Sequence, residues 1–212
     1  IANLRTVQYE NDYDGTDFVT TGLPADSDNV TDGSQISAKL RWEFAPENTG
    51  YRSALSAHYR KDDNDNTESG ADTGGTTGER IELNWTGFYT MDNWDFAGGV
   101  EYLQRLFTQR GPIAFGDPNQ KQHDNTSSVF AETNGQLTES LTATLSARFD
   151  NNSEFDNAVS YRGGLTWQLN DYYAVFTSYG KAVKTPTFTE RFGYFPASFI
   201  GNPNLEPETS EE

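Results

Sequence analysis

The 212-residue sequence has no cysteine and a single methionine. Without thiols it builds neither a disulfide scaffold nor a thiolate site, although this absence assigns no compartment. Basic residues are scarce: 15 Lys and Arg stand against 32 Asp and Glu, a formal net charge of −17. A polyanion of that kind repels a phosphate backbone, so nucleic acid is excluded as a partner. Long apolar runs are missing as well. None approaches the ~18 consecutive residues of a helical membrane span, which excludes a helical membrane protein. The mean hydropathy of −0.76 does not exclude a β-barrel, because alternating strands hide their apolar face from any average. Histidine occurs twice, as His58 and His123. His58 reads as a polar-face strand residue beside Arg60 and His123 as a loop residue, and so isolated a pair supports neither a zinc site nor a Ser-His-Asp triad. Gly74-Gly75 lacks the strand–helix context of a phosphate-cradling loop.

What is present is period-two alternation, the signature of strands with two different faces. In Gln35–Phe44, Ile36, Ala38, Leu40, Trp42 and Phe44 share one face, while Gln35, Ser37, Lys39, Arg41 and Glu43 share the other. Leu141–Asp150, Arg80–Tyr89 and Val159–Leu169 repeat the pattern. Less regular strands are expected around 1–13, 51–61, 94–110, 124–138 and 172–183, with another starting near Thr209, about ten in all. The run Tyr172–Tyr179 is apolar on both faces, which leaves its outward side open. No helical period of useful length is legible.

Turn-forming residues cluster briefly at 45–50, 91–93, 138–140 and 170–171, and polar Gly- and Asp-rich stretches lie at 15–34, 62–77, 111–124, 151–156 and 184–208. Short and long connections alternate without a miss. In an antiparallel meander this sends all short turns to one end and all long loops to the other, the layout of a transmembrane barrel. A soluble β-sandwich also alternates. The strands here, however, run about ten residues or more, enough to cross a bilayer at a tilt, against about 5–6 for globular strands. Aromatics recur near strand ends (Trp42, Phe44, Tyr89, Trp94, Trp167, Tyr172), and the polar face carries both signs of charge in mid-strand (Lys39, Arg41, Glu43, Arg148, Asp150). The expected fold is therefore all-β: an antiparallel, up-and-down segment of a transmembrane β-barrel.

Two segments narrow the reading. Tyr179–Glu190 carries Lys184-Thr185-Pro186-Thr187-Phe188-Thr189-Glu190 at the end of a strand, and Gly201-Asn202-Pro203-Asn204-Leu205-Glu206-Pro207-Glu208-Thr209-Ser210 precedes the next. Pro203 and Pro207 fix φ and lack a backbone donor, so this stretch stays out of a ladder and marks a boundary before Thr209. Glu190 and Glu208 are placed to accept hydrogen bonds from loop backbone there. These segments resemble the barrel of TonB-dependent outer-membrane receptors, most of all the vitamin B12 and siderophore receptors. Val129-Phe130-Ala131-Glu132 and Ala147-Arg148-Phe149-Asp150 resemble strand phrases of the same family. The resemblance is clearest over 125–212.

The resemblance implies a barrel of about 22 strands with a plugged lumen, in the outer membrane of a Gram-negative bacterium. The activity it implies is TonB-energised uptake of a ferric siderophore or cobalamin, without covalent chemistry. The implied partners are that ligand, outer-membrane lipid or lipopolysaccharide, and TonB acting through a plug domain. No plug, TonB box or closing strand set is legible, so 1–212 is expected to be a partial barrel domain of a longer chain. Its ends, at Ile1 and Glu212, read as cuts.

Candidate site residues follow with their plainer explanations. Asp12, Asp14 and Asp17 offer hard oxygen ligands for a structural Ca²⁺ on an external loop, yet Glu10 and Thr21 break the EF-hand pattern and a solvated acidic loop is the favoured explanation. Arg191, Phe192, Tyr194, Phe195 and Phe199 form an aromatic external loop suited to a bulky ligand or to packing on neighbouring loops. The family-motif positions Pro186, Glu190, Gly201, Asn202, Pro203, Leu205, Pro207 and Glu208 read as a loop brace. Two other functions compete. A secreted glycan-binding β-sandwich would need a second sheet, and an outer-membrane barrel enzyme would need a catalytic pair at the rim.

Overall fold

The computed structural model describes residues 1–16, 22–113, 116–195 and 199–212. Nine long strands follow one another: β1 (Ala2–Thr16), β2 (Pro24–Phe44), β3 (Tyr51–Glu68), β4 (Ala71–Met91), β5 (Trp94–Arg110), β6 (Gln120–Thr138), β7 (Leu141–Asn152), β8 (Ala158–Asn170) and β9 (Tyr173–Lys184). A short helix α1 (Phe188–Phe192) and a two-residue ladder between β10 (Tyr194–Phe195) and β11 (Phe199–Ile200) lead to β12 (Glu208–Glu211). Each long strand pairs antiparallel with its predecessor, and β12 pairs with β9, giving one ten-stranded open sheet in meander order.

Register carries the alternation across the sheet. Leu40 lies opposite Ala57, Ala57 opposite Leu83, and Leu83 opposite Tyr102. In a neighbouring row Trp42, Leu55, Trp85, Val100, Val129, Phe149 and Val159 follow in turn. All these side chains share a face, because directly opposed residues in a ladder point the same way. The same rule settles β9: Val175 lies opposite Trp167 and Thr177 opposite Leu165. Val175, Thr177 and Tyr179 therefore join the apolar face, and Phe176 faces the polar side. On β4 the apolar face runs from Met91 to Ile81. Those ten steps make about 33 Å along the strand, or about 25 Å at a tilt of ~40°, the height of a barrel's lipid-facing band.

The sheet has almost no interior of its own. Among the described residues its buried apolar side chains are Ala54, Phe107 and Ala143, whereas Leu40, Trp42, Leu55, Leu83, Trp85 and Val100 are exposed. A single layer with one apolar face lacks the opposing sheet that a sandwich requires, and this removes the sandwich reading. On the other face period two brings opposite charges at i and i+2 side by side. Arg41–Glu43 (2.6 Å), Arg80–Glu82 (2.7 Å) and Arg148–Asp150 (2.8 Å) are ion pairs of this kind. Arg148 also reaches Glu101 on β5 at 2.8 Å and donates to Ser128 Oγ on β6 at 2.7 Å.

Connections alternate as expected, but three polar stretches are more ordered than loops. Residues 62–77 continue β3 and β4 up to a tight turn at Ser69-Gly70, where φ is 50° and 77°. Two successive positive φ angles are what a two-residue hairpin needs. Much of 15–34 belongs to β2, and His123 lies in β6 rather than in a loop. The physical reason is common to all three. Ladder hydrogen bonds are made by backbone, so a hairpin wet on both faces persists without an apolar side, and Arg110 ties its rim to Asp65 (2.7 Å) and Asp72 (2.6 Å). The absence of helix is corrected too: α1 is five residues long, too short for sequence periodicity to reveal.

Candidate functional site

The connection from β9 to β12 folds inward over the polar face. It begins and ends on one rung of the sheet, since Lys184 lies opposite Glu208. Thr187 caps α1: its side chain accepts from the Glu190 N–H (3.1 Å) while the Glu190 carboxylate accepts from the Thr187 N–H (2.7 Å). This reciprocal box satisfies two helix-terminal donors in sequence-local fashion. The Thr187 N–H, and after it the Thr187 side chain, holds the Glu190 carboxyl below its ordinary value.

The family-motif residues then close the connection on itself. Gly201 N–H donates to Gly193 O (2.8 Å), Asn202 N–H to Glu190 O (3.0 Å) and Asn204 N–H to Asn202 Oδ1 (3.0 Å). A Cβ on Gly201 would stand 2.6 Å from the Arg191 carbonyl carbon, so the two passes of chain meet only with glycine there. Pro203 offers its carbonyl to the Arg191 guanidinium at 3.4 Å, and Pro207 precedes β12. Pro186 precedes the capping box, Leu205 is exposed, and Glu208 enters the ladder with its carboxylate 3.9 Å from Lys184.

The five candidate ligand contacts separate into two groups. The Arg191 side chain is 11% exposed; its guanidinium lies between the rings of Phe155 (4.8 Å) and Phe192 (4.6 Å), with Glu154 at 3.6 Å. Phe192 and Tyr194 hand their main chain to the wall. Gln109 Nε2 donates to Tyr194 O (2.7 Å), its Oε1 accepts from Tyr194 N–H (3.0 Å), and Gln120 Nε2 donates to Phe192 O. Phe195 is half-buried in the β10–β11 ladder. Phe199 is exposed, as is its neighbour Ile200. Beneath α1, Phe188 stacks on Phe107 at 5.9 Å and lies 5.4 Å from the Arg105 guanidinium, which forms a bidentate pair with the buried Asp124. Between the 203–209 stretch and the β7–β8 loop lies a groove of about 750 Å³, lined by Glu154, Asp156, Lys181, Arg191, Leu205 and Glu206 among others.

Sequence reading marked the braced connection but neither its inward turn nor its dock. Arg105, Phe107, Gln109, Gln120 and Asp124 come from β5 and β6, 72 and 85 residues away in the glutamine contacts. Nothing local to those strands signals a partner so distant.

The acidic candidates sit differently from the expected loop. Asp12 and Asp14 are exposed residues of β1, on a strand, and Asp17 lies outside the described residues. Among the described residues no group of three or more His, Asp or Glu side chains gathers as a metal site. His58 does meet a serine, with Ser37 Oγ 3.0 Å from its Nε2. No carboxylate is bonded to that imidazole, since Glu82 opposite it is paired with Arg80. Ser37 and His58 lie in strands paired on both sides, so their backbone N–H groups belong to the ladders.

Comparison with known proteins agrees with this geometry. A family model described as TonB dependent receptor-like, beta-barrel, matches residues 2–212. The vitamin B12 transporter BtuB of Vibrio vulnificus (strain YJ016) is 34% identical over 115 residues, 54% of this chain and 18% of that protein. Its counterpart in Vibrio cholerae serotype O1 is 30% identical over 137 residues, 63% of this chain and 20% of that one. Among solved structures, the siderophore receptor PirA from Acinetobacter baumannii superposes with a TM-score of 0.67 at 20% identity, over 92% of this chain and 33% of that chain. The copper transporter OprC gives 0.68 at 16% identity, over 85% and 35%. The chain thus spans about a fifth of the curated relatives' length. Matched from its second residue to its last, and folded as that architecture requires, the chain belongs to the TonB-dependent receptor β-barrel family.

Proposed function

We propose that this segment forms part of the wall and external rim of an outer-membrane receptor in a Gram-negative bacterium. That receptor imports a scarce metal complex with energy delivered by TonB through a plug contributed by the rest of the protein. The observation that carries the reading is the pairing of an exposed apolar band with a charged opposite face in one meander. Lipid solvates the first, and water or the plug meets the second. Cobalamin is the first candidate ligand, because the sequence relatives are named vitamin B12 transporters. A ferric siderophore is the second, because one structural neighbour is named a siderophore receptor. Phe199, with Ile200, Tyr194 and Phe195 beside it, supplies an apolar contact for such a ligand, while Arg191 and Phe192 hold the loop in shape.

Titrating the intact receptor in detergent with cyanocobalamin and with a panel of ferric siderophores tests this. Submicromolar binding of either, weakened at least about tenfold by Phe199→Ala, is the expected result. Binding of neither class overturns the ligand assignment. The wall assignment fails separately if the receptor needs no detergent and lacks heat-modifiable gel mobility.

A further inference from the structure

The outward face, the one that carries Leu83 and Trp85, changes character halfway across the sheet. On β1–β4 its rows above the apolar band hold Glu10, Asp12, Asp32, Asp63, Asp65 and Glu79, and Lys61 is tied to Asp63 at 2.8 Å. From β5 to β8 the same face carries no carboxylate among the described residues. The acids of those strands, Asp95, Glu101, Asp124, Glu132 and Asp150, alternate with the outward residues and so point the other way. In a chain of net charge −17, four adjacent strands with an acid-free outer face form a separate electrostatic sector.

Lys121 and His123 stand at the top of this sector. They are two residues apart on β6 and therefore share a face, about 7 Å from one another along the strand. Both are exposed, and among the described residues neither is held by a hydrogen bond or an ion pair. Thr108 lies opposite Lys121 and Leu106 opposite His123, so a hydroxyl and an apolar side chain complete the patch. Arg110, at the border with the acidic half, is already spent on Asp65 and Asp72. His123 lies six residues beyond Val129 on β6, about 15 Å higher at a tilt of ~40°. That height is past the apolar band and among headgroups, and the long stem of Lys121 lets its ammonium reach down to the same level.

We propose that Lys121 and His123 form a docking site for a phosphate group of an anionic glycolipid in the outer leaflet, on the outside of the barrel. The inference rests on the outward face being the lipid-facing one, as proposed above. Two features point to a lipid rather than a soluble anion. The site is continuous with the apolar band, so acyl chains below the phosphate meet Val100, Val129 and Phe149. A soluble anion gains nothing from that band and meets the repulsion of the whole acidic chain. The carboxylates of β1–β4 repel the same phosphate, which confines the lipid to the β5–β8 side.

Native mass spectrometry of the full-length receptor, released from phosphatidylcholine nanodiscs doped with bisphosphorylated lipid A, counts the glycolipid it retains. Retention should exceed that of dephosphorylated lipid A by at least about tenfold. Lys121→Gln should weaken it about fivefold, the worth of one cation at a charged lipid surface, and Lys121→Glu should weaken it further. Lys61→Gln, on the acidic half, should leave it unchanged, as should EDTA. Equal retention of the two lipids would overturn phosphate recognition, and an equal loss in Lys61→Gln would place the lipid elsewhere. Loss in EDTA would transfer the role to carboxylates bridged by divalent cations, and displacement by millimolar inorganic phosphate would make the site one for a soluble anion. A receptor that inserts into the nanodisc without these preferences loses the site and keeps its wall; one that does not insert loses both.

Discussion

Glu82 and Leu83 are neighbours on β4, one bond vector apart, and they live in different solvents. Glu82 pairs with Arg80 on the polar face; Leu83 stands exposed between Ala57 and Tyr102 on the apolar one. Mid-strand charge is tolerated on the first face because Arg41, Arg60, Arg80 and Arg148 each have an anion two residues away and Arg105 has Asp124 on the next strand. It is absent from the two rows traced through Leu83 and Trp85 on the second, because nothing there could solvate it. The β9–β12 connection docks on the polar face, where hydrogen bonding to side chains is available. The lesson is that the two faces divide the labour: one sets where the sheet lives, the other what it holds.

Substitutions that exchange the faces should break this division most strongly. Leu83→Arg should destabilise the receptor by about 3 kcal/mol, the cost of a cation near the midplane of a lipid-facing surface. Glu82→Gln should cost under about 1 kcal/mol. Urea titration in lipid vesicles measures both, and equal costs would mean the faces have been misassigned. Next comes Asp124→Ala, which strands the Arg105 guanidinium. A fully buried pair loses about 3–5 kcal/mol when one partner is removed; with Arg105 23% exposed, about 2 kcal/mol is expected in the same assay, and Asp124→Asn should recover part of it. Smaller still is Thr187→Ala, which removes one half of the capping box. About 1 kcal/mol of local stability is expected to go, seen as faster exchange of 188–193 with an unchanged urea midpoint.

The smallest effect is one of pH. The folded Glu190 carboxyl is held below its unfolded value, so its contribution is fully present above the ordinary carboxylate range and is lost as pH falls through the lowered value. Protection of 187–193, corrected for intrinsic exchange, should therefore fall on acidification below about pH 4.5. Glu190→Gln, which keeps an acceptor without a proton to gain, should flatten that dependence; a slope identical to the parent's would assign it to another group.

The alternation in Gln35–Phe44 and Leu141–Asp150 was readable without any structure, because a strand's period of two is imposed by backbone geometry on every residue. The parity of the connections was readable for the same reason. The lengths of those connections were not. Residues 62–68 look like a loop by composition, yet they extend β3, since ladder bonds are indifferent to side-chain polarity. Tyr172–Tyr179 shows the complementary failure: apolar on both sides, it has no outward face until Trp167 and Val175 are paired.

At the site, the prolines at 203 and 207 and the acceptor Glu190 marked a braced loop in the sequence, since φ restriction is local, whereas the Thr187–Glu190 capping box emerged only with α1. That loop's direction was decided by contacts with Gln109 and Gln120, far away in the chain. Sequence by itself determined an all-β meander with one apolar and one charged face, because both follow from which residues alternate. The tertiary structure alone decided which strands outrun the band, which face β9 presents, and that the 185–207 connection turns inward. Register and long-range docking depend on partners that no single segment encodes.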